Sequence, residues 1–344
     1  MLQKKTISIH LNSNNPLSFE KFIISIVSKT ENLDSIEILV NIDKNDEDMI
    51  NIIKKINNMH DGLVRYIETD LIKTFADAWK PLNLLLSKTS KSVEFITCVS
   101  DEIRFQTKNW DQIILKYLNY YEDNIFRIRC SKYRNETYKD IWECGYKPDA
   151  YAFYTRKWLD TVGEWNPCIG PDTFQECISF YLRNYGKKYN RDIIDNTIKY
   201  SGQKVSENLK LESRIERTRI YYKAFFILMS YKIQSIANNK AYNLAKIISD
   251  DANLNKNLLF KYKIYYTNFI RRFNFFYHRG SPDHFINSKF KNVIFIIWCY
   301  LSFLDKYVIN IASFLYRNSY LKKIIKDEEK LKQIMKILDN NEAS

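Results

Sequence analysis

Short apolar runs alternate with amphipathic stretches along the first half of the chain. Thr6 to Leu11 reads as a strand. After the polar turn Asn12 to Asn15, the spacing of Phe19, Phe22, Ile23 and Ile26 predicts a helix over Leu17 to Lys29. Ser35 to Ile42 is apolar enough for a central parallel strand and ends at Asp43; an acidic run and an amphipathic helix over Met49 to Met59 follow. Leu63 to Glu68 is a third strand and Phe75 to Ser87 a third helix. From Val93 a fourth apolar run ends abruptly in Ser100, Asp101 and Glu102. This strand and helix order predicts an α/β fold, a mostly parallel sheet wrapped by helices.

Acids at the ends of apolar strands are informative. Asp43 and Asp101 both follow strand C-termini, which places them at the same sheet edge, where open α/β sheets bind ligands. The adjacent carboxylates of Asp101 and Glu102 are hard oxygen donors suited to a divalent cation that bridges a phosphate. Further on, a helix is predicted over Trp110 to Tyr121, a strand over Asn124 to Cys130 and an aromatic strand over Tyr151 to Tyr154. A short helix, a Gly-Glu-Trp turn and a Gly-Pro-Asp start to another amphipathic helix follow. Pro171 suits a first helical turn, and Asp172 or Thr173 is the expected cap.

Composition adds partners and exclusions. Of the 344 residues, 53 are Lys or Arg and 40 are Asp or Glu, a formal charge of +13. From Ser206 onward the cations interleave with Tyr, Phe and Ile, notably in Arg219 to Ile236 and Lys261 to Tyr277, which fits a helical bundle or an anionic membrane surface. Val293 to Leu304 is apolar but too short for a bilayer, which needs about 20 residues. Leu321 to Leu338 is a charged amphipathic helix suited to capping a bundle or pairing with a second copy, so a homodimer is a candidate assembly. Six cysteines without regular spacing favour neither a zinc cage nor a disulfide framework. With no signal-like segment at Met1, a cytoplasmic protein is expected, peripheral on the inner face of the plasma membrane if the basic helices bind lipid.

The first half resembles the family-two inverting glycosyltransferases of the GT-A fold, over about residues 5 to 190. The resemblance rests on TISIHLNSN through SIEILVNID, on VSDEIRFQTKNWD, and on AFYTRKWLDTVGEWNPCIGPDTF. It implies a Rossmann-like domain over 1–200 and leaves 206–344 as a helical, basic and aromatic region for acceptor or membrane-surface association. It also implies a metal-assisted inverting transfer of a sugar from a nucleoside diphosphate, UDP favoured, to a hydroxyl of a glycan or lipid-linked acceptor. Asn14 and Asp43 then stand at the nucleotide, with Asp101 and Glu102 holding Mn2+ or Mg2+ against its diphosphate. Asp77, Lys80 and Asn83 line the nucleotide pocket. Asp172 is the catalytic base, and Glu176, one turn later, is the fallback. Three positions depart from the family pattern: Leu11 replaces a proline, and in Ser100, Asp101, Glu102 the first and last residues of the usual Asp-any-Asp are Ser and Glu.

Other residues take blander readings. His10 has no second histidine at ligand spacing and is expected to be structural, as is Cys168. His278 and His284 flank a hinge-like Gly-Ser-Pro and do not make a zinc site. Trp165 is a candidate to stack on an acceptor sugar. The alternatives are a non-catalytic member of the same fold that binds nucleotide, a nucleotidyltransferase, and a basic nucleic-acid-binding protein. A nucleotidyltransferase would bring a Gly-rich phosphate loop after the first strand, whereas LNSNNP has no glycine. The sequence holds no helix-turn-helix, RNA-recognition or zinc-finger pattern, so no nucleic-acid partner is expected.

Overall fold

The computed structural model describes residues 5–72, 77–130, 149, 151–168, 170–202, 228, 231–249 and 254. The predicted helices at Lys261 to Tyr277, Val293 to Leu304 and Leu321 to Leu338, and the pair His278 and His284, lie outside the described residues. Those described belong to one compact unit, which spans Met1–Lys204 and Arg219–Ile264.

Strand β1 (Ile7–Asn12) and β2 (Ile36–Asp43) are buried along nearly their whole length, as central strands covered on both faces must be. Helix α1 (Pro16–Val27) starts where the Asn15 side chain accepts from the Ser18 amide at 3.0 Å and proline occupies the first turn, and it buries Phe19, Phe22, Ile23 and Ile26. The acidic run before α2 (Glu47–Met59) has a local cause. Asp46 caps the helix through the Met49 amide at 3.0 Å, and Glu47 and Asp48 meet the positive end of the helix dipole. Next come β3 (Val64–Thr69), α3 (Lys80–Ser87) and β4 (Phe95–Cys98).

Helix α3 starts later than the predicted Phe75. Pro81 is tolerated only in a first turn, because deeper in a helix it would remove a hydrogen bond and clash with the preceding turn. The acidic turn then separates β4 from β5 (Ile103–Phe105), which leaves the main sheet to pair with β9 (Tyr200–Gly202). Helix α4 (Trp110–Leu115) is shorter than predicted, and beyond it Asn119 takes a left-handed φ of 60°. The remainder is β6 (Arg127–Arg129), β7 (Phe153–Thr155), α5 (Arg156–Val162), α6 (Pro171–Arg183), β8 (Asp192–Ile194) and α7 (Tyr231–Ser249).

Among the described residues the main sheet has the order β3-β2-β1-β4-β7-β6-β8. Strands β1 to β4 are mutually parallel, β7 runs antiparallel to both β4 and β6, and β8 is parallel to β6. The fold is α/β and Rossmann-like, as the alternation predicts, with a single reversed strand inside the sheet. That reversal brings the start of β7 to the edge where β1, β2 and β4 end.

The buried strand β6 carries two arginines, Arg127 and Arg129, which are 0% and 2% exposed. Arg127 Nε and Nη2 donate to the two carboxylate oxygens of Asp192 at 2.7 and 2.9 Å, and Nη2 also donates to Glu176 at 2.6 Å. Glu176 in turn accepts from the Asp149 amide at 3.1 Å, and Asp149 accepts from the Cys130 amide at 2.9 Å. Buried charges persist only when paired and hydrogen-bonded, and this network joins β6, β8 and α6.

Candidate active site

The edge where the parallel strands end gathers most of the expected acids. At the end of β1, Asn14 Nδ2 lies 3.4 Å from Asp43 Oδ2 at the end of β2. On the other side of β1, Ser13 donates to Asp101 Oδ2 at 2.6 Å, and Ser18 Oγ donates to the Asp101 carbonyl at 3.0 Å. The turn that carries Asp101 and Glu102 is therefore tied to both β1 and the start of α1. Arg104 folds back, its Nη1 2.6 Å from the Asp101 carbonyl, beside the charges of Asp101 and Glu102. Partial burial raises the Asp101 carboxyl above its ordinary range, an effect opposed by the Ser13 hydrogen bond and by Arg104.

Asp172 reaches the same edge from α6. The helix begins at Gly170, whose left-handed φ of 93° suits glycine, so Asp172 sits inside the first turn rather than at the cap. Helix dipoles favour a negative charge there. Its charge is felt by two side chains at this edge. Burial first and the Asp172 charge second push the Cys98 thiol, at the end of β4, well above the usual thiol range. Burial also raises the Tyr151 hydroxyl, and Asp172 and Glu102 both add to that shift. Tyr151, just before the reversed strand β7, thus feels the charges of both the β4 turn and the first turn of α6.

Asp77 and Lys80 form an ion pair at 2.9 Å. They flank Ala78, whose carbonyl accepts from Asn12 Nδ2 at 2.6 Å, so this segment lies over the end of β1.

Three expected site residues are used otherwise. Trp165 is 1% exposed, its indole N–H donates to His10 Nδ1 at 3.0 Å and its ring meets Tyr154 edge-on, so it offers no face to a sugar. Glu176 is 0% exposed and held by Arg127 and the Asp149 amide, so it cannot meet an acceptor as a fallback base. Asn83 spends its side chain bracing the turn before α6: Oδ1 accepts from the Trp165 amide at 2.8 Å, and Nδ2 donates to the Asn166 carbonyl at 2.9 Å. Sequence reading missed Ser13, Ser18, Arg104 and Tyr151. The polar turn LNSNNP was the signal for the first, whereas Tyr151 comes to the site only because β7 is reversed.

His10 is the structural histidine expected, fully buried against Ser8, Thr89 and Trp165. Burial, reinforced by the Arg156 charge, pushes it down to about 3. An unfolded chain protonates this histidine near the ordinary imidazole pKa, about 6.5, whereas the fold keeps it neutral. The resulting stabilisation is complete above that value and is lost as pH falls toward 3, by at most about 1.4 kcal/mol per unit. Urea unfolding at pH 7.5 and at pH 5 should show the loss, and His10→Gln should flatten the profile.

No family model matches the chain. No curated protein matches it either. Among solved structures, a mannosyltransferase from Pyrobaculum calidifontis in complex with GDP-Man and Mn2+ is similar over 72% of this chain and 74% of its own, with 13% identity and a TM-score of 0.46. TarS 1–349 from S. aureus in complex with UDP-GlcNAc is similar over 70% of this chain and 72% of its own, with 13% identity and a TM-score of 0.43. A 4-diphosphocytidyl-2C-methyl-D-erythritol synthase from Anaerococcus prevotii covers 64% of this chain at 15% identity and a TM-score of 0.36.

The donor set also bears on a metal. Asp101 and Glu102 are adjacent and half-buried, and both offer hard oxygen ligands. Among the described residues no group of three or more His, Cys, Asp or Glu gathers to hold an ion. The pair therefore fits a Mg2+- or Mn2+-like cation that takes its other ligands from phosphate and water, and does not fit an all-protein cage. A cavity of about 400 Å3 opens at the other end of β4, lined by Glu94, Phe95, Leu118 and Arg156, and Asp43, Asp101 and Asp172 are not among its lining residues. Among the described residues no helix is long and apolar enough to cross a membrane.

Proposed function

We propose that the chain is an inverting glycosyltransferase that moves a sugar from a nucleoside diphosphate, preferentially uridine diphosphate, to an acceptor hydroxyl. The order of groups along one sheet edge carries this reading. Asn14 and Asp43 lie at β1 and β2, Ser13, Asp101 and Glu102 between β1 and β4, and Tyr151 and Asp172 beyond β4. Three strand spacings, about 14 Å, separate β2 from β7, room for an extended nucleotide sugar with its base at Asp43 and its sugar at Asp172.

In this arrangement Asp43 accepts a ring N–H of the nucleobase and Asn14 steadies Asp43. Asp172 takes the proton from the acceptor hydroxyl as that oxygen attacks the anomeric carbon opposite the departing diphosphate. Asp101 and Glu102 would hold a divalent cation, which when bound would supply Lewis-acid neutralisation of the leaving group. Ser13 and Ser18 fix the turn that presents those carboxylates, and Arg104 places a permanent positive charge beside them. The basic, aromatic region 206–344 would meet a glycan or lipid-linked acceptor at an anionic membrane surface, and binding to anionic liposomes at low salt tests that part separately.

Proton NMR of the product decides the stereochemistry, with an anomeric configuration opposite to that of the donor expected; a retained configuration contradicts Asp172 as the base. Calorimetric titration with the nucleoside diphosphate and Mn2+ should show Asp43→Ala weakening binding about tenfold, the size of one lost hydrogen bond of about 1.4 kcal/mol. Glu102→Ala should remove the Mn2+ enhancement and leave the metal-free affinity unchanged.

A further inference from the structure

Helix α7 and Leu228 before it follow the Rossmann-like domain in sequence, yet between them they hold both ends of the turn that presents Asp172. At one end Lys240 Nζ donates to the Val162 carbonyl, the last residue of α5, and lies 3.3 Å from Glu164 Oε1. At the other end, a Cβ built on Gly170 would come within 2.9 Å of Leu228 Cδ1, so Leu228 fills the space that glycine leaves immediately before Pro171 and Asp172. Leu228 is 3% exposed, and its carbonyl accepts from the buried Gln234 of α7 at 2.7 Å, while Gln234 Oε1 accepts from Tyr181 of α6 at 2.7 Å. Between the two grips, Trp165 and Asn166 are held from the sheet side by His10 and Asn83. Such a turn has little freedom while both sides are engaged. It loses one side when α7 is loosened.

We propose that α7 and Leu228, which precedes it, form a positioning element that, through Lys240 and Leu228, fixes residues 163–168 and Gly170 and with them the carboxylate of Asp172. The catalytic part of this inference rests on the transferase reading; the structural part does not. The test compares the full-length protein with Leu228→Ala and Lys240→Met, neither of which alters a group that meets donor or acceptor. Amide hydrogen exchange of peptides covering 163–176 should accelerate at least tenfold in both variants, with the β1 and β2 amides unchanged. In turnover assays with the nucleotide sugar, kcat should fall about tenfold at unchanged donor KM, and Leu228→Met should restore it. Unchanged exchange over 163–176 in both variants overturns the proposal, as does a raised donor KM at constant kcat. If the wild-type protein turns over no nucleotide sugar, the transferase reading fails while accelerated exchange still upholds the brace.

Discussion

Replacing Asp172 with Asn should lower the rate of sugar transfer by about a hundred- to ten-thousandfold, the usual contribution of a positioned general base, while donor affinity stays within a factor of two or so of wild type. The amide keeps the size of the side chain and its place in the first turn of α6, but it cannot take a proton from the acceptor. Glu176 cannot substitute for it. Glu176 is wholly buried and spends both carboxylate oxygens on Arg127 and the Asp149 amide. The split between kcat and donor affinity separates this outcome from a collapse of the site, which would weaken both. Substantial residual turnover in Asp172→Asn would move the base elsewhere.

The second large effect is on stability. Arg127→Met should destabilise the fold by about 3–5 kcal/mol, because it leaves Asp192 and Glu176 as buried carboxylates without their shared partner. Met fills much of the volume, so the loss reports charge rather than a cavity. Arg127 holds the Asp192 carboxyl well below the ordinary carboxylate range, against the opposing effect of burial. A carboxyl whose pKa is depressed by folding contributes stability above its unfolded pKa, about 3.9, and that stability is lost as pH falls through the lower folded value. Wild-type stability should therefore weaken below about pH 4, where Asp192 of the unfolded chain takes up a proton while the folded carboxylate stays ionised, and Arg127→Met should lose less over the same range. Denaturant unfolding of both proteins between pH 7 and pH 3 measures this.

Local patterning carried much of the fold. The apolar runs ending in Asp43 and Asp101 read as central strands, and parallel strands put their C-termini at one edge, so the shared edge of those acids was legible in the sequence. The reversal of β7 was not legible, because a three-residue aromatic strand reads the same in either direction. With it went Tyr151. The corrections share one cause, a partner distant in sequence. Trp165 is claimed by His10, Asn83 by the turn at Trp165 and Asn166, and Glu176 by Arg127. A tryptophan in a turn or a glutamate on an amphipathic helix looks available until the group that consumes it is seen. The late start of α3 is different, since Pro81 announced it in the sequence.

On the proposed reading, the edge formed by β1, β2 and β4 is a nucleotide-sugar site. A thermal-shift screen of the intact protein against nucleoside diphosphates and nucleotide sugars, each with and without Mn2+, tests it most directly. A ligand at a hundredfold excess over its Kd stabilises the folded state by about 2.7 kcal/mol, enough to raise the unfolding midpoint by several degrees. Such a rise is expected with one nucleotide class, larger with Mn2+, and lost in Asp43→Ala. No rise with any nucleotide, with or without metal, would contradict it.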